Sequence, residues 1–349
     1  MAVYGAGAIG SQVGARIHAA GHDVTLVEPW EPHRRAIAER GLTIHTPGGG
    51  RTYWPAVVSP DELPTFTAPI DLLFLSVKSY DTLEAMQRVA PYLAAGGIVV
   101  SMQNSINEEW IAPLVGASRI VGGVILINAV LLEPGHVTET MSVSRATSAG
   151  DLPGVYVGEY ASAAGTKASE VASVLDAVWP AKPIDDLLHE RWSKLANNTM
   201  INPVSGIGGL RSAAALADPN ARRTMIAVAS EVLRVAEAEG YPLARVMGDY
   251  DAADVHAGAE GISHSVNQAL AARAEKVSDD ATTSMLQDVL RGRRTEIDYF
   301  SGFVARKGST HGIPTPYCDA VTTLVHRVEA GTLSPSPEAL LEIGKLVGD

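Results

Sequence analysis

The chain has 349 residues, of which 46% are hydrophobic and 19% are charged, and its formal net charge is −12. This composition is typical of a globular protein rather than a disordered one, and the length favours two domains. The acidic balance argues against a nucleic-acid partner, because such binding relies on clustered Lys and Arg, and the sequence has no apolar run of about eighteen residues to cross a membrane.

The N-terminal stretch predicts a short strand, a glycine-rich turn and a helix from about Ser11 to Ala20. In a Gly-x-Gly-x-x-Gly turn, one glycine makes the turn, one lets the backbone approach a pyrophosphate, and one lets the helix pack on the strand. The pyrophosphate then lies at the positive end of the helix dipole. The spacing alone also fits a purely structural turn. The candidate cofactor-binding residues are Gly5, Ala6, Gly7, Ala8, Ile9 and Gly10.

A second predicted strand, residues 22–27, is followed by Glu28, eighteen residues after Gly10. An acid at this position is placed to hydrogen-bond a ribose 2′-hydroxyl and to repel a 2′-phosphate. The alternative interpretation is that Glu28 is merely a solvated charge at a strand end. Because a carboxylate here would repel a 2′-phosphate, we predict that NAD is preferred to NADP.

The next segments alternate between helix and strand, which indicates a doubly wound α/β sheet. Ligands of such sheets gather at the carboxyl ends of the strands, where Lys78 and Asn104 fall. The predicted elements are a helix at 31–41, a hairpin of 42–45 with 52–54, buried strands at 71–78 and 97–103, and a helix at 81–93.

Three later strand-like runs, at 120–127, 136–141 and 155–159, are expected to close this sheet with antiparallel or mixed strands. A helix at 168–178 and the segment 181–184 follow. The domain boundary is placed near Asp186, giving a dinucleotide-binding domain at 1–185 and a helical substrate domain at 186–349. Residues 249–261 are acidic and rich in Ala and Gly, and a loop is expected there.

The predicted helix at 187–200 carries a polar stripe beside its apolar one. Lys194, Asn198 and Asn202 share one face if the helix continues through Asn202, and Pro203 is expected to end the regular pattern. A solvent-facing stripe is the alternative. Asparagine is a poor helix former, which favours a functional role for this face.

Further on, residues 283–291 predict a short helix capped near Thr283 or Ser284, and Gly292 interrupts it. A second helix is expected over 295–304, with Ile297, Phe300 and Val304 facing inward. The interruption allows Ser284 and Glu296 to face one cleft.

These segments together resemble the ketopantoate reductase family over nearly the whole chain and in the right order. The matching motifs are Gly5-Ala6-Gly7-Ala8-Ile9-Gly10, Val77-Lys78, Gln103-Asn104, Lys194-Leu195-Ala196 with Asn198, Ile201-Asn202-Pro203, Ser284-Met285-Leu286-Gln287-Asp288 and Thr295-Glu296-Ile297-Asp298-Tyr299.

The resemblance implies a Rossmann-type α/β domain followed by an all-α domain, as in 6-phosphogluconate dehydrogenase-like proteins, with the substrate between them. It implies that Lys194 is the catalytic acid and that Glu296 binds the substrate oxygen or orients the lysine. By the same resemblance, the substrate is bound by Asn198, Asn202 and Ser284. Asn104 lies beside the nicotinamide and the substrate, and Lys78 lies near the cofactor.

Three positions depart from the family pattern. An arginine typically follows the second strand in NADP-using members, and Glu28-Pro29-Trp30 stands here instead. Ala281 replaces a substrate-contacting asparagine three residues before Ser284. Ser105 replaces the glycine that usually follows Asn104. These changes favour an NAD-using branch whose substrate differs from ketopantoate.

We therefore predict an NAD-preferring oxidoreductase that interconverts a small-molecule 2-keto acid and its (R)-2-hydroxy acid. The alternatives are an NADPH-dependent 2-dehydropantoate 2-reductase, a non-catalytic dinucleotide-binding protein and a flavoprotein. No metal is expected, because the ten histidines show no ligand spacing. The one cysteine, Cys318, is expected to pack as an apolar residue, and it fits a reducing compartment. The first strand opens at Ala2 and leaves no room for a targeting peptide, so a cytoplasmic location is expected. A homodimer is the candidate assembly.

Overall fold

The computed structural model describes residues 1–141, 153–162, 165–246 and 250–348. They form two compact units, Met1–Leu188 and His189–Asp349.

The first unit is an α/β unit. Its described strands are β1 (Ala2–Tyr4), β2 (Thr25–Val27), β3 (Leu42–Thr46), β4 (Gly49–Tyr53), β5 (Ala56–Val58), β6 (Ile70–Leu75), β7 (Leu93–Ser101), β8 (Ile120–Ile125), β9 (Asn128–Glu133), β10 (His136–Met141), β11 (Val155–Glu159) and β12 (Ala181–Pro183). Its described helices are α1 (Ala8–Ala19), α2 (Glu31–Arg40), α3 (Thr82–Val89), α4 (Glu108–Val115) and α5 (Thr166–Leu175).

The main sheet has the order β12-β11-β8-β7-β6-β1-β2-β5, and its pairs are parallel except β11 with β8. Side chains of β1 alternate between two apolar cores, with Val3 in one and Ala2 and Tyr4 in the other. The strand order reverses between β1 and β6, and ligands of doubly wound sheets bind outside the carboxyl ends of strands at such a switch. The predicted Rossmann-type arrangement is confirmed.

One strand prediction is wrong, because β10 (His136–Met141) does not extend the main sheet. It belongs to a second sheet of order β4-β3-β10-β9, parallel to β3 and antiparallel to β9. Alternate residues of β10 are buried, such as Val137 and Glu139, which is typical of a strand that covers one side of a core. The strand β9, which the sequence analysis did not identify, turns back through Gly135 at φ +86°.

The second unit is helical apart from a short hairpin of β13 (Arg245–Val246) and β14 (Tyr250–Asp251). Its described helices are α6 (Leu187–Gly208, which starts at the end of the first unit), α7 (Ser212–Ala217), α8 (Pro219–Ala238), α9 (Ala252–Ala259), α10 (Ser265–Ala274), α11 (Ser284–Leu290), α12 (Ser301–His311), α13 (Pro316–Glu329) and α14 (Leu341–Val347).

Two expectations about this unit are wrong. Pro203 does not end α6, which runs on to Gly208. Proline removes one backbone donor and its ring crowds the carbonyl one turn earlier, but Val204 and Ile207, both fully buried, hold the last turns in the core.

The expected loop at 249–261 is instead β14 followed by α9, while position 249 lies outside the described residues. Val255 is 1% exposed, and His256 Nδ1 lies 2.8 Å from Ser230 Oγ on α8. Packing against α8 therefore orders a segment whose composition suggests a loop. Cys318 is fully buried, as predicted.

Candidate functional site

The glycine-rich turn joins β1 directly to α1, which begins at Ala8, three residues earlier than predicted. Gly5 has φ +91°, a left-handed conformation that favours glycine. A Cβ on Gly10 would overlap the carbonyl oxygen of Gly5. A Cβ on Gly7 would meet no atom of the described residues within 4 Å, and Gly7 caps α1 with no side-chain hydrogen bond. The turn thus presents the first backbone N–H groups of α1 on an open side, which suits a pyrophosphate.

Glu28 lies at the carboxyl end of β2 and is only 6% exposed. Its Oε2 accepts a 2.6 Å hydrogen bond from the Ala6 N–H, and its Oε1 accepts a 2.6 Å bond from the Trp30 N–H. Burial raises the pKa of the Glu28 carboxyl, and these two N–H donors oppose that shift. Glu28 is therefore a buried carboxylate that contacts the glycine-rich turn, not a solvated strand-end charge.

Lys78 and Asn104 follow the neighbouring parallel strands β6 and β7, at their carboxyl ends. A side chain ties the two following loops together. Gln103 Nε2 donates a 3.0 Å hydrogen bond to the carbonyl oxygen of Val77, next to Lys78. The same nitrogen lies 2.7 Å from Thr82 Oγ1. The two candidate residues therefore lie in loops that are fixed to each other.

Asn107 strengthens this connection from a fully buried position. Its Nδ2 donates to the Asn104 carbonyl oxygen (2.5 Å) and to Ser79 Oγ (3.1 Å). Ser105, between Asn104 and Asn107, has a φ of +66°. This left-handed backbone conformation costs a non-glycine residue about 1 to 2 kcal/mol. Asn107 was not predicted, although a polar residue in the loop after a buried parallel strand was an available signal.

In the second unit, α6 carries Lys194, Asn198 and Asn202 at four-residue spacing, and the helix continues through Asn202. Asn202 is 6% exposed, and Lys194 and Asn198 are partly buried. Protein atoms surround the lysine closely enough that burial lowers its pKa to about 7. This stripe is therefore not an ordinary solvent-facing helix surface.

Two charged neighbours act on Lys194 in opposite directions. Arg191, which is 1% exposed and lies three residues earlier on α6, lowers the pKa of the lysine, while Glu296 raises it. Glu296 itself is 4% exposed. Arg191 was not predicted, although an arginine at helical spacing from Lys194 on a core helix was a usable signal. The three groups form an electrostatically coupled cluster.

Ser284 is the first residue of α11, and Thr283 caps that helix by accepting a 3.2 Å bond from the Leu286 N–H. Thr283 Oγ1 also lies 3.1 Å from Ser205 Oγ on α6, three residues beyond Asn202. The start of α11 is therefore fastened to α6 one turn from Asn202, which brings Ser284 to the same part of the unit.

Glu296 precedes a 3₁₀ turn, Ile297–Tyr299, and contacts with α13 hold the residues around it. The Thr295 N–H donates a 2.6 Å hydrogen bond to Glu329 Oε1 on α13. His326, also on α13, contacts both Glu329 Oε2 (2.9 Å) and Asp298 Oδ1 (2.8 Å). Burial opposes the charging of His326, but these two carboxylates outweigh it and raise the pKa of the imidazole. The single helix expected over 295–304 is wrong, because this turn and the non-helical Phe300 precede α12, but Ile297, Phe300 and Val304 are buried as predicted.

Within the described residues, no cluster of three or more His, Cys, Asp and Glu side chains is arranged to hold a metal ion. Nor does any described helix combine the length and apolarity needed to cross a membrane.

Two family models match the chain. Residues 1–154 match the model described as ketopantoate reductase PanE/ApbA, and residues 186–329 match the model for the C-terminal part of the same family.

The chain is 30% identical over 331 residues to a 2-dehydropantoate 2-reductase of Archaeoglobus fulgidus, covering 94% of this chain and 97% of the relative. A 2-dehydropantoate 2-reductase of Lactococcus lactis is 28% identical, covering 94% of this chain and 97% of the relative. Among solved structures, D-mandelate dehydrogenase with NADH and anilino(oxo)acetate is similar with a TM-score of 0.78 and 26% identity, covering 95% and 99% of the two chains. A PanE/ApbA family ketopantoate reductase from Ralstonia eutropha has a TM-score of 0.76 and 26% identity, with the same coverage.

Proposed function

Because this chain belongs to the ketopantoate reductase family, we propose that it is an NADH-preferring oxidoreductase that reduces a 2-keto acid to an (R)-2-hydroxy acid, or catalyses the reverse. The observation that carries this proposal is Lys194. It combines a pKa of about 7 with two asparagines on its helix face and the carboxylate of Glu296.

The proposed cofactor site is formed by the turn from Gly5 to Gly10 with Glu28, Lys78 and Asn104. Bound NADH supplies a hydride to the substrate C2. The open side of the turn at Gly7 accommodates the pyrophosphate, and Glu28 accepts a hydrogen bond from the ribose while repelling a 2′-phosphate. Glu28 is already oriented for this role, because its two oxygens are held by the N–H groups of Ala6 and Trp30.

The proposed chemistry in the second unit is proton transfer. Hydride arrival at C2 breaks the carbonyl π bond and leaves an alkoxide, to which the Lys194 ammonium donates its proton. A pKa of about 7 means that the lysine can give and regain a proton near neutral pH. Glu296 moderates that pKa, and it accepts a hydrogen bond from the lysine or the substrate.

The substrate carboxylate is proposed to bind to Asn198, Asn202 and Ser284. Amide and hydroxyl donors hold a carboxylate without adding full charges. Arg191 supplies a further positive charge to the cluster, so that an anionic substrate is attracted to it.

Two kinds of substrate are candidates. A 2-hydroxy acid with a large substituent is favoured by the likeness to D-mandelate dehydrogenase with NADH. Ketopantoate with NADPH is the second candidate, because curated relatives at 28–30% identity are 2-dehydropantoate 2-reductases. The homodimeric state and the cytoplasmic location stay predictions.

The test is the initial rate of NADH and of NADPH oxidation, at matched concentrations, with aromatic, branched and linear 2-keto acids including ketopantoate. The proposal expects NADH turnover with a 2-keto acid other than ketopantoate. Faster NADPH turnover on ketopantoate would favour the second candidate. If no 2-keto acid supports oxidation of either cofactor, both candidates are wrong.

A further inference from the structure

His33 is a fully buried histidine on α2 to which the proposed mechanism gives no role. Its Nδ1 accepts a 2.9 Å hydrogen bond from the backbone N–H of Gly135, in the turn between β9 and β10. Its Nε2 lies 3.2 Å from Ser11 Oγ on α1. The imidazole therefore joins the second sheet to the helix that follows the glycine-rich turn.

The direction of each hydrogen bond follows from the donors present. The backbone N–H of Gly135 can only donate a hydrogen bond. Nδ1 of His33 is therefore the unprotonated nitrogen, and Nε2 carries the hydrogen. Nε2–H then donates to Ser11 Oγ, and the Ser11 hydroxyl donates a 2.6 Å bond to the carbonyl oxygen of Ala6. Burial lowers the pKa of His33 to about 4, while an interaction of the ring with the Ala6 backbone opposes this shift, and the neutral form is therefore kept at ordinary pH.

This chain of bonds ends inside the glycine-rich turn. The Ala6 N–H is held by Glu28 at 2.6 Å, and the Ala6 carbonyl is held by Ser11 at 2.6 Å. A trans peptide is planar, with its C=O and N–H pointing in opposite directions. Fixing the Ala6 carbonyl toward Ser11 therefore fixes the Gly7 N–H on the opposite side of the turn.

We propose that His33 is a positioning residue for the cofactor: together with Ser11, it orients the peptide between Ala6 and Gly7 that receives the pyrophosphate. This inference rests on the proposed function, since it concerns the same dinucleotide site. It assigns a role to a side chain that does not itself touch the cofactor.

Two substitutions at His33 separate this role from simple packing. His33→Asn keeps an acceptor near the Nδ1 position for Gly135, but it is too short to reach Ser11. His33→Gln places an amide N–H near the Nε2 position and keeps the donor to Ser11. Both lose the ring and its stacking on Trp30, at 5.8 Å between centroids, and they differ from each other by one methylene and by which hydrogen bond they keep.

The measurement is the Kd for NADH by fluorescence titration, with thermal unfolding recorded in parallel. We expect His33→Asn to bind NADH about 3- to 10-fold more weakly than His33→Gln, the size expected for one net hydrogen bond. Equal affinities of the two variants would overturn the proposal, because only His33→Gln keeps the donor to Ser11; the thermal unfolding curves show any difference in packing separately.

Ser11→Ala tests the same link without altering the histidine. It should weaken NADH binding by a similar factor, and adding His33→Asn to it should cause less loss than the sum of the two single substitutions, since both residues act on the Ala6 carbonyl. Wild-type affinity in Ser11→Ala would overturn the proposal even if neither His33 variant folds. Failure of the wild-type protein to bind NADH or NADPH would instead refute the proposed function, and this inference with it.

Discussion

Glu28 Oε2 accepts a 2.6 Å hydrogen bond from the backbone N–H of Ala6, so the acid after β2 is fixed against the turn after β1. The contact places a carboxylate with little solvent access at the point where a Rossmann-type domain binds the adenosine ribose. The choice between NAD and NADP is therefore expected to depend on this side chain.

Glu28→Gln should raise the ratio of NADPH to NADH turnover by about one to three orders of magnitude, because it removes the charge that repels a 2′-phosphate. The measurement is kcat/KM for each cofactor at a fixed 2-keto acid concentration. Glu31→Gln, which alters an exposed acid at the start of α2, is the matched control and should leave the ratio unchanged. An unchanged ratio in Glu28→Gln would remove the acid from cofactor selection.

Lys194→Ala should reduce kcat by about 10²- to 10⁴-fold, the usual contribution of a general acid. NADH binding should change little, because the proposed cofactor residues lie in the first unit. Lys345→Ala, an exposed lysine on α14, serves as the control. Turnover of Lys194→Ala within a few-fold of wild type would exclude the lysine as the acid.

The pH profile of reduction should report the titration of Lys194. The ammonium is the active form in this direction, so kcat/KM should fall as pH rises through about 7. Glu296→Gln removes the charge that raises the lysine pKa, and the fall should move to lower pH. Arg191→Met removes the charge that lowers it, and the fall should move to higher pH. Shifts in the same direction would contradict this electrostatic assignment.

Ser105→Gly should stabilise the protein relative to Ser105→Ala, since alanine retains the strained φ of +66° and glycine does not. The expected difference in the free energy of unfolding is about 1 kcal/mol, measured by denaturant unfolding. Both variants lose the hydroxyl, so the comparison isolates the backbone. Equal stabilities would mean that the loop after β7 relaxes to accommodate alanine.

The parts of the fold with strong local signals were predicted correctly. The apolar run of β6 indicates a strand buried between two parallel neighbours. The glycine spacing after β1 indicates the tight turn into α1. The cap at Thr283 is equally local, because its hydroxyl bonds a backbone N–H three residues on.

What the sequence did not reveal depends on contacts between distant segments. Pairing with β3, about ninety residues earlier, places β10 in a second sheet, and no periodicity within β10 shows this. Packing on α8 makes α9 helical despite its composition, and buried neighbours carry α6 past Pro203. The influence of Arg191 on Lys194 likewise depends on how far the folded chain buries the two side chains, which helical spacing alone does not show.

The most direct test of the account is the fate of the hydrogen on the cofactor. The protein would be incubated with NADH carrying two deuterium atoms at C4 and an active 2-keto acid, and the product analysed by NMR. The account predicts a 2-hydroxy acid with one deuterium at C2, equal in amount to the NAD formed. A product whose C2 hydrogen comes from solvent, or cofactor oxidation without a 2-hydroxy acid, would contradict it.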